Sequence, residues 1–312
     1  MIYYANGVAS AKSNDLVSLT LLEQMTNAKD FNSCLSLLSS TPLFVGIDEN
    51  NIDDVLLQKK QELYDFIRTN SPFDEITNFF LLAQDFDNLG VLCRLASVGK
   101  KYNNASFVKG LSSIEDLNLL CQVGENCNIP SQLSKAFSHM PKDMSLSQID
   151  LYFKQKKYET LKALTKSHIM KIVLFNILDL QNICVILRAK SKEEFEKNKV
   201  ATGNLSNQIL LKLFDRDKSV LYNLSDVTKD IASLVFLSSQ EKAYEKIDKL
   251  SNELPLLSLS SFAKDTDSIA PFLEYCFLYL VQLKNIKMIL SLKRNDVKCN
   301  LLGKLLGVKY YG

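Results

Sequence analysis

"DLQNICVILR", residues 179–188, sets an asparagine in the middle of an apolar helical run. The frame occurs twice more, as "DFDNLGVLCR" at 85–94 and "QLKNIKMILS" at 282–291. Aligned on Asn88, Asn182 and Asn285, the copies share more than one letter. Position −5 holds Ala83, Ile177 and Leu280, and position −2 holds Phe86, Leu180 and Leu283. Position +1 holds Leu89, Ile183 and Ile286, position +4 holds Leu92, Ile186 and Ile289, and position +5 holds Cys93, Leu187 and Leu290. That spacing is one apolar face of an α-helix. One turn before the Asn, on the same side, stand Asp85, Asp179 and Gln282; at +6 stand Arg94, Arg188 and Ser291. The third copy keeps neither the acid nor the base.

An asparagine inside a helix costs about 0.5 kcal/mol relative to alanine, because its side chain competes for nearby backbone groups. Its recurrence needs a compensating gain. A buried side-chain amide bonded to a neighbouring backbone would fix the orientation of each helix. The first two copies also share a downstream pattern, "KGLSSIEDLNLLC" from Lys109 and "TGNLSNQILLKL" from Thr202, with the glycine 22 residues after Asn88 and 21 after Asn182. Amphipathic helical runs at 145–164 and 241–254 precede the second and third copies. The asparagines are 94 and 103 residues apart. The chain therefore reads as three diverged helical modules of about 100 residues each, at 1–141, 142–236 and 237–312.

Composition agrees with an all-α protein. Of 312 residues, 46% are hydrophobic and only 10 are Gly and 6 Pro, and the apolar set is dominated by leucine, a good helix former. With 37 basic against 35 acidic residues, no field draws the chain to nucleic acid, and it carries no long basic run. The start, "MIYYANGVASAKSNDL", lacks the basic head and continuous apolar core of a secretory signal. The apolar stretches Ile169 to Leu187 and Pro271 to Leu290 are interrupted by Lys171, Asp179 and Asn182, and by Glu274, Gln282, Lys284 and Asn285. They read as buried helices, not as bilayer spans.

No constellation asks to be an active site. The seven cysteines, Cys34, Cys93, Cys121, Cys127, Cys184, Cys276 and Cys299, form no CxxC pair and read as reduced thiols filling small gaps in a core. Only His139 and His168 could join them, and neither HExxH nor a close His/Cys cluster exists. "VGKKYNNAS" carries Gly99–Lys100, but a phosphate-cradling loop needs a glycine where Arg94 stands. The acidic pairs Asp53/Asp54 and Glu193/Glu194 lie in polar, solvated stretches. No nucleotide, cofactor or metal is expected.

Two further segments carry a family resemblance. "YYANGVASAKSNDLVS" (3–18) and "IAPFLEYCFLYLVQLKNIKMIL" (269–290) resemble the opening helix and the closing segment of the C subunits of the V/A-type rotary ATPases (ATP synthases), the counterparts of the d subunits of eukaryotic V-ATPases. The resemblance covers essentially the whole chain. In the closing segment it runs through Pro271, Tyr275, Asn285 and Ile286, and on to Lys293. Gln282 stands where the family usually has Glu, Lys287 where it has Arg, and Gly7 where it has a basic residue.

The resemblance implies three similar helical modules arranged as a funnel. It implies a non-catalytic rotor subunit that seats the central-shaft subunits on one side and the membrane proteolipid ring on the other, with the membrane stator subunit as a further neighbour. Such a subunit passes torque for proton or sodium transport and is peripheral, on the cytoplasmic face of the membrane. Close-packed helices suit that work, because their interiors compress little under load. Basic residues at or beyond the end of each repeated decamer, Arg94, then Arg188 and Lys190, then Lys293 and Arg294, are the candidate shaft contacts, a ring around one opening if the modules are related by pseudo-threefold symmetry. The residue pattern alone leaves two other readings open: a general α-helical repeat scaffold for another assembly, and a helical enzyme with an unrecognised site.

Overall fold

A computed structural model of the chain describes residues 1–124, 128–262, 265–297 and 302–310. Helix dominates, at 74% of the described residues, which contain no strand. The protein is all-α. Cys127 and Cys299 lie outside the described residues, and Cys34, Cys93, Cys121, Cys184 and Cys276 are free thiols.

The chain forms two compact units, one of residues 1–72 with 259–312, the other of residues 73–258. In the first unit the long helix Ala270–Arg294 is packed by four helices from the other end of the chain: Ile2–Ser13, Leu19–Asn27, Phe31–Ser39 and Ile52–Asn70. Local signals start several of them. Ser18 and Asp30 accept hydrogen bonds from the Leu21 and Ser33 N–H groups, and Pro271 occupies the first turn of the long helix, where its missing N–H costs no bond. Phe66 stacks on Phe272, ring centres 5.6 Å apart, and meets Tyr275 edge-on at 5.2 Å.

In the second unit the Asn88 helix, Ala83–Ser97, continues without a break from Asp74–Thr77 through a π-helical stretch, Asn78–Leu82. It packs on Ile114–Val123 and on Leu146–Leu164, which opens with a reciprocal Ser145/Gln148 capping box. Gly90 faces that last helix, and a Cβ there would meet Phe153 Cβ at 3.4 Å, in van der Waals contact. The Asn182 helix, His168–Arg188, packs on Asn207–Phe214 and Asp226–Ser233, with Gln240–Leu259 completing its surroundings.

The repeated apolar face is the spine of each core. Phe86, Leu89, Leu92 and Cys93 join Ile114, Leu117, Leu120, Leu133, Ile149 and Phe153 in one cluster. Leu180, Ile183, Ile186 and Leu187, at the same offsets from their Asn, join Phe195, Leu205, Leu210, Leu213, Ile231 and Val235 in another. In the first unit Leu283, Ile286, Ile289 and Leu290 are likewise buried. Each such side chain contributes about 1.5–3 kcal/mol when fully buried. Of the described helices, His168–Arg188 is long and apolar enough by composition to cross a bilayer. Here it is a core helix, with Asn176, Asp179 and Asn182 buried along it.

Candidate functional site

The three asparagines are buried, Asn88 3% exposed and Asn182 and Asn285 0%. Each reaches from its helix to the backbone of a segment that returns about 20 residues later. Asn88 Nδ2 donates to the Val108 carbonyl at 2.8 Å, and its Oδ1 accepts from Gln84 Nε2 at 2.9 Å. Asn182 Nδ2 donates to the Ala201 carbonyl at 3.2 Å, and its Oδ1 accepts the Val200 N–H at 2.9 Å. Asn285 holds both backbone groups of Leu306, donating to its carbonyl at 3.0 Å and accepting its N–H at 2.9 Å. A primary amide offers a donor and an acceptor side by side, which is what an extended backbone segment needs from a partner.

The aspartates complete the grip one turn earlier on the helix. Asp85 Oδ2 accepts from the Leu111 and Ser112 N–H groups, each at 2.9 Å, and from Ser112 Oγ at 3.0 Å. Asp179 accepts the Asn204 N–H at 3.0 Å and the Leu205 N–H at 2.9 Å. In both places the loop then turns into a helix, Ile114–Val123 or Asn207–Phe214, so the carboxylate anchors the approach to that helix, whose first turn is capped by Ser113 or Ser206. The glycines shared by the two copies are explained by the closeness of this approach. A Cβ on Gly203 would lie 2.1 Å from the Phe175 carbonyl oxygen and 2.6 Å from Asp179 Oδ1.

Burial pushes the Asp85 carboxyl up to about 7 and that of Asp179 up to about 6. For Asp85 the N–H groups of Gly110, Leu111 and Ser112 and the Ser112 hydroxyl pull the other way; for Asp179 Gly203, Asn204 and Leu205 do so. Desolvation of the anion outweighs these bonds.

The third copy is wired differently. Gln282 Oε1 accepts the Val17 N–H at 2.8 Å, tying the helix to the segment ahead of Leu19–Asn27. Its Nε2 is buried with no acceptor among the described residues.

The basic residues beyond the decamers sit in unlike settings. Arg94 makes a two-pronged contact with Asp150, at 2.9 and 3.1 Å. Lys293 donates to the Ala28 carbonyl, and Arg294 donates to the Glu49 carbonyl while lying over the Phe31 ring. Arg188 is exposed and lies over the Tyr244 ring, 5.6 Å from its centre, and Lys190 is exposed beyond it. Arg94, Arg188 and Lys190 belong to one compact unit, Lys293 and Arg294 to the other.

Among the described residues no three His, Cys, Asp or Glu side chains group as metal ligands. No curated protein matches the chain. The family model of the ATP synthase (C/AC39) subunit does, over residues 5–302. The repeated Asn helices lie wholly within that span, and the chain belongs to the ATP synthase (C/AC39) subunit family, a component of V/A-type ATPases.

Proposed function

We propose that this chain is the rotor adaptor of its ATPase, a non-catalytic socket that seats the central shaft and passes its torque to the membrane proteolipid ring. The protein works at the cytoplasmic face of the membrane without entering it. The family match carries this reading. The paired side-chain grips support it. A torque-bearing part must deform little, and a buried amide or carboxylate bound to two or more backbone groups of a returning loop removes a soft joint where each module would otherwise flex.

On this reading the charge that meets an acidic shaft tip is concentrated at Arg188 and Lys190. Arg94, Lys293 and Arg294 spend donors on Asp150, Ala28 and Glu49, whereas the side chains of Arg188, at the end of its helix, and Lys190, just past it, are exposed and donate to no acceptor among the described residues. The deciding experiment is purification of the native complex from membranes through a tag on this chain. Catalytic, shaft and proteolipid subunits should travel with it, and its deletion should abolish ATP-driven ion transport while leaving detached catalytic heads able to hydrolyse ATP. Isolation of the chain without those subunits, or unimpaired transport in its absence, would overturn the assignment.

A further inference from the structure

Cys93 Sγ lies 3.4 Å from Cys121 Sγ. Cys93 is buried on the Asn88 helix, and Cys121 is half-buried on Ile114–Val123, the helix whose approach Asp85 anchors. The two other copies of the repeat carry leucine at the Cys93 position, Leu187 and Leu290. Only in the first copy does the smaller thiol leave room at that core position for a second sulfur. Beside the pair a cleft of about 460 Å³ opens to solvent between the two helices, lined by Leu92 and Ala96 from one and Asn118 and Gln122 from the other. These are the sequence neighbours and next-turn neighbours of the two thiols. Neither thiol lines the cleft, but Cys121 is itself only half-buried, so a small oxidant can reach it from solvent.

We infer that Cys93 and Cys121 form an oxidisable dithiol, a modification site at which hydrogen peroxide converts the pair into a disulfide. The more exposed Cys121 reacts first: its thiolate attacks peroxide, the O–O bond breaks, and sulfenic acid forms with release of hydroxide. Cys93 sulfur then attacks the Cys121 sulfur, the S–OH bond breaks, and the departing hydroxide leaves as water with the Cys93 proton. Two thiols lose two electrons in all, and one peroxide becomes two waters. The order follows from the environment, because the hydrogen bond to Cys121 and burial both hold the Cys93 thiol well above its ordinary value.

The product would add a covalent tie between two segments already joined by Asn88 to Val108 and by Asp85 to Leu111 and Ser112. Residues 28 apart in sequence would be closed into a loop, which restricts the unfolded chain and raises the melting temperature.

The test is peroxide treatment of the purified chain followed by mass spectrometry of non-reduced peptides, thiol counting and thermal melts. The expected result is a linked Cys93–Cys121 peptide, a mass loss of about 2 Da, loss of about two thiols, and a higher melting temperature that dithiothreitol reverses. The variants Cys93→Ser and Cys121→Ser should fold and show neither the link nor the rise. A sulfinic or sulfonic product at Cys121 without a link, or a link from Cys121 to Cys127 in place of Cys93, would overturn the inference.

Discussion

Asp85 and Gly110 stand so close that no side chain fits between them: a Cβ on Gly110 would lie 2.1 Å from Asp85 Oδ1 and 2.2 Å from the Leu81 carbonyl oxygen. Real Cβ atoms do not approach that closely, and neither neighbour is the free end of a flexible chain. The glycine is required by the carboxylate's hold on the loop, and the same relationship holds between Asp179 and Gly203.

Gly110→Ala and Gly203→Ala should therefore each destabilise the protein by about 1–3 kcal/mol, the usual penalty for overfilling a packed site. Gly7→Ala is the control. Gly7 lies in the helix Ile2–Ser13 with open space around it, so alanine should stabilise by about 0.5–1 kcal/mol. Urea melts of the three variants decide the matter, and equal midpoints for Gly110→Ala and the parent would refute the steric account.

Replacing Asn182 by Leu leaves both the Val200 N–H and the Ala201 carbonyl without their partner, whereas Asn88→Leu orphans only the Val108 carbonyl among backbone groups. Each loss should fall in the range of about 1–3 kcal/mol, with Asn182→Leu the larger. Chemical denaturation monitored by far-UV circular dichroism reads both. Two neutral substitutions would leave the buried amides without a structural role.

The raised carboxyls give a pH signature opposite to ordinary acid denaturation. Between the unperturbed value of 3.8 and about 7 the folded Asp85 binds more proton than the unfolded one, so its contribution is full below pH 4 and is lost as pH rises towards 7. Asp179 behaves likewise up to about pH 6. Other carboxylates tilt the absolute curve, notably Asp30 and Asp217, both held low by their bonds to Ser33 and Ser219. The measurement is accordingly a difference. The stability of the parent relative to Asp85→Asn should fall from pH 4 to pH 7 and level off above; a difference that rises with pH would mean that the N–H groups, and not burial, govern this carboxyl.

Reversing charge at Arg188 and Lys190 together, each to Glu, should weaken shaft binding about tenfold or more at low ionic strength and much less at high salt. The melting temperature should fall little, because Lys190 is exposed and Arg188 has only its contact with the Tyr244 ring to lose. Arg294→Glu should behave in the reverse way, losing the Glu49 carbonyl and the Phe31 ring and hence stability before affinity. Undiminished affinity in the double variant would return Arg188 and Lys190 to the solvated surface.

The helical class, the Asn frame and its apolar face were legible in the sequence because helical periodicity is a local property, fixed within one or two turns. The Gly-Leu-Ser order after the first two copies was legible as a pattern but not as a mechanism. Nothing in a linear reading says that Asp85 looks across to residue 110, 25 positions on. Long-range partners were hidden altogether: that Gln282 takes the Val17 N–H, or that Asn6 donates to the Thr266 and Ser268 carbonyls, depends on chain reversal that no window of residues records. The Cys93–Cys121 pair was hidden for the same reason, since spacing alone made these two cysteines look like separate core fillers. The basic residues at the decamer ends looked alike in sequence. Their neighbours make them different.

The first compact unit is assembled from both ends of the chain, and this sets an order of events during synthesis. When Asn70 leaves the ribosome, the helices Ile2–Ser13 to Ile52–Asn70 still lack Ala270–Arg294, the helix against which they pack. All of Phe73–Ser258 must be made first, which at about 5–20 residues per second takes on the order of ten seconds or more. During that interval Leu22, Met25, Leu38, Leu63 and Ile67, all buried in the finished protein, lie on helices that lack the share of their cover supplied by Ala270–Arg294. The second unit can close on its own as it emerges. The first waits with its apolar helices open, and a nascent-chain chaperone has its longest opportunity at the N-terminal 72 residues.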